Sequence, residues 1–129
     1  MSQNAQKPKI LLARAVFPDL LAELEKVAIV QSNQDDHLWN AVDLKAALAD
    51  KDAAIITGSE RIDADMLKAS PQLKIVSNIA VGYNNLDMPA FKAANVMATN
   101  TPDVLTDTTA DFGFTLMMAT ARRVTESEH

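Results

Sequence analysis

Five short, mainly apolar runs, each followed by a stretch with helical spacing, constrain the fold of this chain more than any other feature. The runs are Ile10 to Ala13, "AIVQS" at 28–32, "AAIITG" at 53–58, "LKIVSNI" at 73–79 and "VMAT" at 96–99. A strand that is apolar at consecutive positions is buried on both faces, which requires helices above and below a parallel sheet. The intervals supply those helices. Leu20, Leu21, Leu24 and Val27 follow Pro18 and Asp19; Val42, Leu44, Ala47 and Leu48 surround Asp43, the expected N-cap; "DADMLKAS" is closed by Pro71; "MPAFKAAN" follows Asp87 as cap. The expected fold is α/β, a doubly wound parallel sheet with flavodoxin-like strand order.

The last segment, "TDTTADFGFTLMMATARRVTESEH", breaks this rhythm. Thr108-x-x-Asp111 reads as a capping box, and Ala110, Phe112, Phe114, Leu116, Met117, Met118 and Ala121 put apolar side chains on nearly every face. A helix that is apolar all round is buried all round. Residues 1–103 are therefore expected to form a flavodoxin-like substrate domain, and 104–129 an interdomain helix leading toward a nucleotide-binding domain that this sequence does not contain. Residues 1 to 8 are polar and expected to fray.

Charge and composition remove several function classes. A net charge of -5 opposes binding to a phosphate backbone, which needs clustered Lys and Arg, so no nucleic-acid partner is expected. The adjacent pair Arg122-Arg123 suits the negative end of a helix dipole better than a binding patch. Without cysteine there are no disulfides or thiolates, and His37 and His129 lie far apart with no metal-ligand spacing, so no metal is expected. No apolar run approaches the ~20 residues of a membrane span, and "MSQNAQKPK" lacks the apolar core of a secretory signal. A cytoplasmic location is the default expectation.

The chemistry points to "SNIAVGYNNLD" at 77–87, where one of only three glycines follows a strand. Ligands of doubly wound sheets bind at the carboxyl ends of strands. A glycine there permits positive φ or close backbone approach, so the amides around Val81 and Gly82 would form a nest for a carboxylate. Gly-Tyr-Asn-Asn is also good turn chemistry, and the residues alone leave both readings open.

The stretch from "IAVGYNNLD" through "NTPDVLTDTTAD" to "ATARR" closely resembles the D-isomer-specific 2-hydroxyacid dehydrogenase family, in particular its glyoxylate, hydroxypyruvate and 2-ketogluconate reductase branch. The resemblance implies a two-domain enzyme whose split substrate domain surrounds a nucleotide-binding domain. It also implies NAD or NADP as hydride carrier and a small 2-oxo or 2-hydroxy acid as substrate. Carried over residue by residue, the backbone at Val81 and Gly82 holds the substrate carboxylate, Ala80 lines the same pocket, and Thr109 lies against the nicotinamide end of the cofactor. Asn84 stands where many members have Asp and receives no chemical role.

Much of such an enzyme is missing here. Gly58, Gly82 and Gly113 cannot make the GxGxxG turn that lets a pyrophosphate approach a helix N-terminus. The arginine and the histidine-glutamate pair that the resemblance implies have no counterpart, and His37, in "QDDHLWN", reads as a surface loop residue. No catalytic residue is therefore assigned, no cofactor is expected on this chain alone, and the chain is expected to be the inactive first part of the enzyme. Two other classes compete. A receiver would need an acidic cluster after the first strand and a flavodoxin a phosphate loop, both absent from "LLARAVF", which leaves a weak small-carboxylate-binding module. A self-associating structural fragment is the third reading, with the apolar last helix holding a homodimer together.

Overall fold

A computed structural model describes residues 7–126; the expected fraying of residues 1 to 8 falls mostly, and His129 wholly, outside the described residues. The strands are β1 (Lys9–Leu12), β2 (Ile29–Ser32), β3 (Ala53–Thr57), β4 (Ile75–Ile79) and β5 (Met97–Thr99). The helices are α1 (Pro18–Val27), α2 (Ala41–Leu48), α3 (Ala64–Ala69), α4 (Met88–Ala94) and α5 (Thr106–Ala121), with a single 3-10 turn at Val124–Glu126. All strand pairings are parallel and the order is β2-β1-β3-β4-β5, the flavodoxin-like order read from the sequence. Strands joined by right-handed crossovers in this order place α1 on one face of the sheet and α2, α3 and α4 on the other.

The core lies under those three helices. Leu44 and Leu48 from α2, Met66 and Leu67 from α3 and Phe91 from α4 pack on Ala54, Ile56 and Val76. The helix starts follow local chemistry. Pro18 opens α1 with its φ already set, and Asp63 and Asp87 cap α3 and α4 by accepting the N–H of Met66 and Ala90.

Two expected caps are corrected. Asn40, not Asp43, caps α2: its Oδ1 accepts the Asp43 N–H at 2.9 Å, while its Nδ2 donates to the Asp43 carboxylate, so Asp43 is the reciprocal partner three residues on. Thr108 and Asp111 do not form a capping box, because α5 starts two residues before Thr108. Thr108 lies inside the first turn and its hydroxyl donates back to the Leu105 carbonyl at 3.3 Å.

Asp103, at φ 63°, turns the chain out of the sheet between β5 and α5. Left-handed backbone is tolerated by Asp better than by most residues. None of the residues of α5 is buried; Phe112, Phe114, Leu116, Met117 and Met118 all stand in the open. Arg122 caps its C-terminal end, and Arg123 pairs with Glu126 beyond it.

Candidate functional site

β4 lies between β3 and β5 in the sheet, and the loop after its carboxyl end carries Ala80, Val81 and Gly82. Every carbonyl in that loop is held. Ala80 O accepts the Thr101 N–H at 2.9 Å, Val81 O accepts Asn100 Nδ2 at 2.8 Å, and Gly82 O accepts Asn78 Nδ2 at 3.1 Å. The N–H groups of Val81 and Gly82 meet no acceptor among the described residues.

In an extended strand successive carbonyls point to opposite sides. Here those of Ala80 and Val81 are both tied to consecutive residues, Thr101 and Asn100, beyond the end of β5. Because the peptide unit is planar and trans, the N–H groups of Val81 and Gly82 face away from that anchor together. Two consecutive N–H groups turned to one side make an anion-accepting concavity.

A second layer of amides fixes the loop from below. Asn78, on the core face of β4 and almost fully buried, also donates to Asn85 Oδ1 at 3.1 Å. Asn85 Nδ2 donates to the carbonyls of Thr57 and Glu60, at 3.1 and 2.8 Å. Glu60, buried as well, accepts both the N–H and the hydroxyl of Thr57 at 2.9 Å. The ends of β3 and β4 are thereby locked to one another through polar groups that have few alternatives in a dry site.

Of the two uses open to Gly82, positive φ and close backbone approach, the first is not realised. No glycine among the described residues has positive φ, and a Cβ built on Gly82 meets nothing within 4 Å. The chain's own packing therefore does not demand glycine at this position. Its absent side chain matters for the open space outside.

Val81 and Thr109 meet across that space. They line one open cleft of about 520 Å³ with Leu105, Thr106 and Ala110. The Thr109 N–H closes the first turn of α5 on Leu105 O at 2.9 Å, and its hydroxyl has no hydrogen bond among the described residues. Ala80 and Gly82 stand on the same loop but outside this lining. A second cavity, of about 490 Å³, lies between α1 and the sheet against Leu12, Phe17, Leu20, Ile55 and Ile79. Its lining is mostly apolar but includes Arg14, whose Nη2 pairs with Asp36 at 3.0 Å while its Nη1 is buried with no hydrogen-bond partner among the described residues.

His37 is exposed and its ring rests 4.7 Å from that of Trp39, which agrees with its reading as a loop residue. Among the described residues no group of His, Asp and Glu side chains is placed to hold a metal, and no helix is long and apolar enough to cross a membrane. Asn78, Asn85 and Asn100 are the site residues that the sequence did not disclose. Asn78 carried a signal, an amide inside an otherwise apolar strand, whereas Asn85 and Asn100 look like turn residues until the strand order shows which carbonyls they reach.

The chain is similar to known proteins along most of its length. The chain is 42% identical over 122 residues to a glyoxylate reductase of Thermococcus onnurineus and 40% identical over 123 residues to that of Thermococcus kodakarensis, in each case across 95% of this chain. It spans 36% and 37% of the lengths of those relatives. Among solved structures, a Thermus thermophilus protein superposes with a TM-score of 0.80 at 28% identity, over 92% of this chain and 38% of its own. An NADPH-dependent glyoxylate/hydroxypyruvate reductase of Sinorhizobium meliloti, solved with NADP and malonate, superposes with a TM-score of 0.65 at 28% identity, over 89% of this chain and 34% of its own. Residues 10–127 match the model of the D-isomer specific 2-hydroxyacid dehydrogenase catalytic domain, and the chain belongs to that family.

Proposed function

We propose that this chain is the substrate-carboxylate-binding part of an NAD(P)-dependent D-2-hydroxyacid dehydrogenase that reduces a small 2-oxo acid such as glyoxylate or hydroxypyruvate. The observation that supports it most is the same-side pair of N–H groups at Val81 and Gly82, left without protein acceptors while their peptide carbonyls are tied down. A carboxylate seated there accepts two charge-assisted hydrogen bonds, each roughly twice as strong as a neutral one. The missing side chain at Gly82 keeps the approach clear. Ala80 contributes the carbonyl half of the peptide unit that carries the Val81 N–H, and Thr109, with its free hydroxyl on the α5 wall, is assigned to the nicotinamide side of the cleft.

Reduction of a 2-oxo acid also needs a hydride, a proton and a positive group beside the developing alkoxide. The lining of the cleft contains no ionisable side chain. The described residues do not fit a whole dinucleotide either: none of the strand ends carries a glycine-rich turn, and none of the glycines is left-handed. Residues 1–103 are read as substrate domain and 104–129 as the link to a nucleotide-binding domain, so the chain alone binds its carboxylate and does not turn it over. The exposed apolar surface of α5 is read as a homodimer contact.

Titrating the ¹⁵N-labelled chain with glyoxylate tests the reading. The amide resonances of Val81 and Gly82 are expected to move at millimolar ligand, with no oxidation of NADH or NADPH in the same solution. Resonances that stay still, or turnover by the chain alone, would overturn it.

A further inference from the structure

We infer that Asn100 is a positioning residue for substrate binding: it holds the peptide unit whose N–H belongs to Gly82 and so aims one of the two donors at the carboxylate. This rests on the carboxylate reading and adds to it the part that a side chain outside the loop plays.

The argument follows the peptide planes. The carbonyl of Val81 and the N–H of Gly82 belong to one rigid unit and point in opposite directions. Asn100 Nδ2 grips that carbonyl at 2.8 Å, from a position one residue beyond the end of β5. The unit before it, which carries the Val81 N–H, is gripped at the Ala80 carbonyl by the main-chain N–H of Thr101 at 2.9 Å. One donor is thus set by backbone and the other by a side chain. Without Asn100 the Val81–Gly82 peptide is free to rotate and to turn its carbonyl, the wrong sign of dipole, toward the ligand.

Asn100 is only partly buried and makes no other side-chain hydrogen bond among the described residues, so its replacement is expected to leave the fold in place. The same division of labour sets its test apart from a general loosening. In Asn100→Ala the Gly82 amide should lose its response to glyoxylate while the Val81 amide, still clamped through Thr101, keeps it. Binding should weaken about threefold to tenfold, the worth of one hydrogen bond. Asn100→His, whose ring Nδ1–H lies the same number of bonds from the backbone, should restore the Gly82 response.

The experiment is the glyoxylate titration of wild type, Asn100→Ala and Asn100→His, with thermal unfolding of each. Unchanged affinity and an unchanged Gly82 response in Asn100→Ala would overturn the inference and leave the carboxylate site standing. Loss of both amide responses together with a lowered unfolding midpoint would also overturn it, by making Asn100 merely structural. A wild-type chain whose amides do not move would remove the carboxylate reading itself, and this inference with it.

Discussion

Ile56 and Ile79 are isoleucines near the carboxyl ends of neighbouring strands, yet Ile56 is fully buried and Ile79 is half exposed. They lie on opposite faces of the sheet. The face of Ile56 is roofed by α2, α3 and α4, whereas the face of Ile79 has α1 alone, a helix with no buried residue. The helix with the most apolar surface, α5, covers neither face. Apolar spacing in a sequence reports that a segment is buried somewhere. It does not report by what, and in this chain the same signal marks both the core and surfaces that the chain leaves uncovered.

That contrast can be broken in order of effect. Ile56→Ala should cost about 2–5 kcal/mol in urea unfolding, through lost burial and the cavity left behind, against under about 1 kcal/mol for Ile79→Ala. Equal costs would mean that the second face is covered after all. Next comes α5. If its exposed side chains form the proposed dimer contact, Phe114→Glu buries a charge in an apolar seam and should weaken association by about a hundredfold, returning the mass seen by light scattering from dimer to monomer at micromolar concentration. A wild-type chain that is already monomeric would refute the dimer directly.

Gly113→Ala is a finer probe of the same helix. A Cβ there meets nothing within 4 Å, so the substitution should stabilise α5 by about 1 kcal/mol. A loss instead would place another backbone against Gly113 and locate the seam there. The smallest effect lies at the other end of the sheet, where Asp50 pairs with Lys51 and Lys9, and Asp52 with Lys74. The hydrogen bond from Lys51, then that from Lys9, lower the Asp50 carboxyl from 3.8 to about 2. A lowered pKa stabilises the fold above the unfolded value, and that contribution disappears as pH falls from about 4 toward 2. Asp50→Asn should lower stability slightly at pH 7 and converge with wild type at the acid end of the profile, a small effect because the pair is solvent-screened.

The sheet was legible in the sequence because its signals are local: five mainly apolar runs, Pro18 at a helix start and Asp87 as a cap all stand where expected. The errors share one cause. Asn40 and Asp43 are alternative cappers within one turn, and α5 starts at Thr106, with Leu105 in the cap position and no side-chain cap, rather than after Thr108; a hydrophobic period does not resolve an offset of two or three residues. At the site, the loop of Val81 and Gly82 was legible through its place after a strand and through family resemblance. Of the two alternatives left open for Gly82, positive φ is not the one adopted, since the carbonyl anchors turn the loop without it. Those anchors were hidden because Asn78, Asn85 and Asn100 act on residues that only the strand order brings beside them.

The pairing of β4 with β5 works as a ruler. Ile75 lies opposite Met97 and Ser77 opposite Thr99, and this count alone delivers the Asn100 amide to the Val81 carbonyl. Strand residues advance about 3.3 Å each, more than the tolerance of a hydrogen bond. Inserting or deleting one residue between Met97 and Asn100 would therefore misread the scale by a full division: the amide would miss its carbonyl, while the fully buried core residues, none of which lies on β5, would record little change.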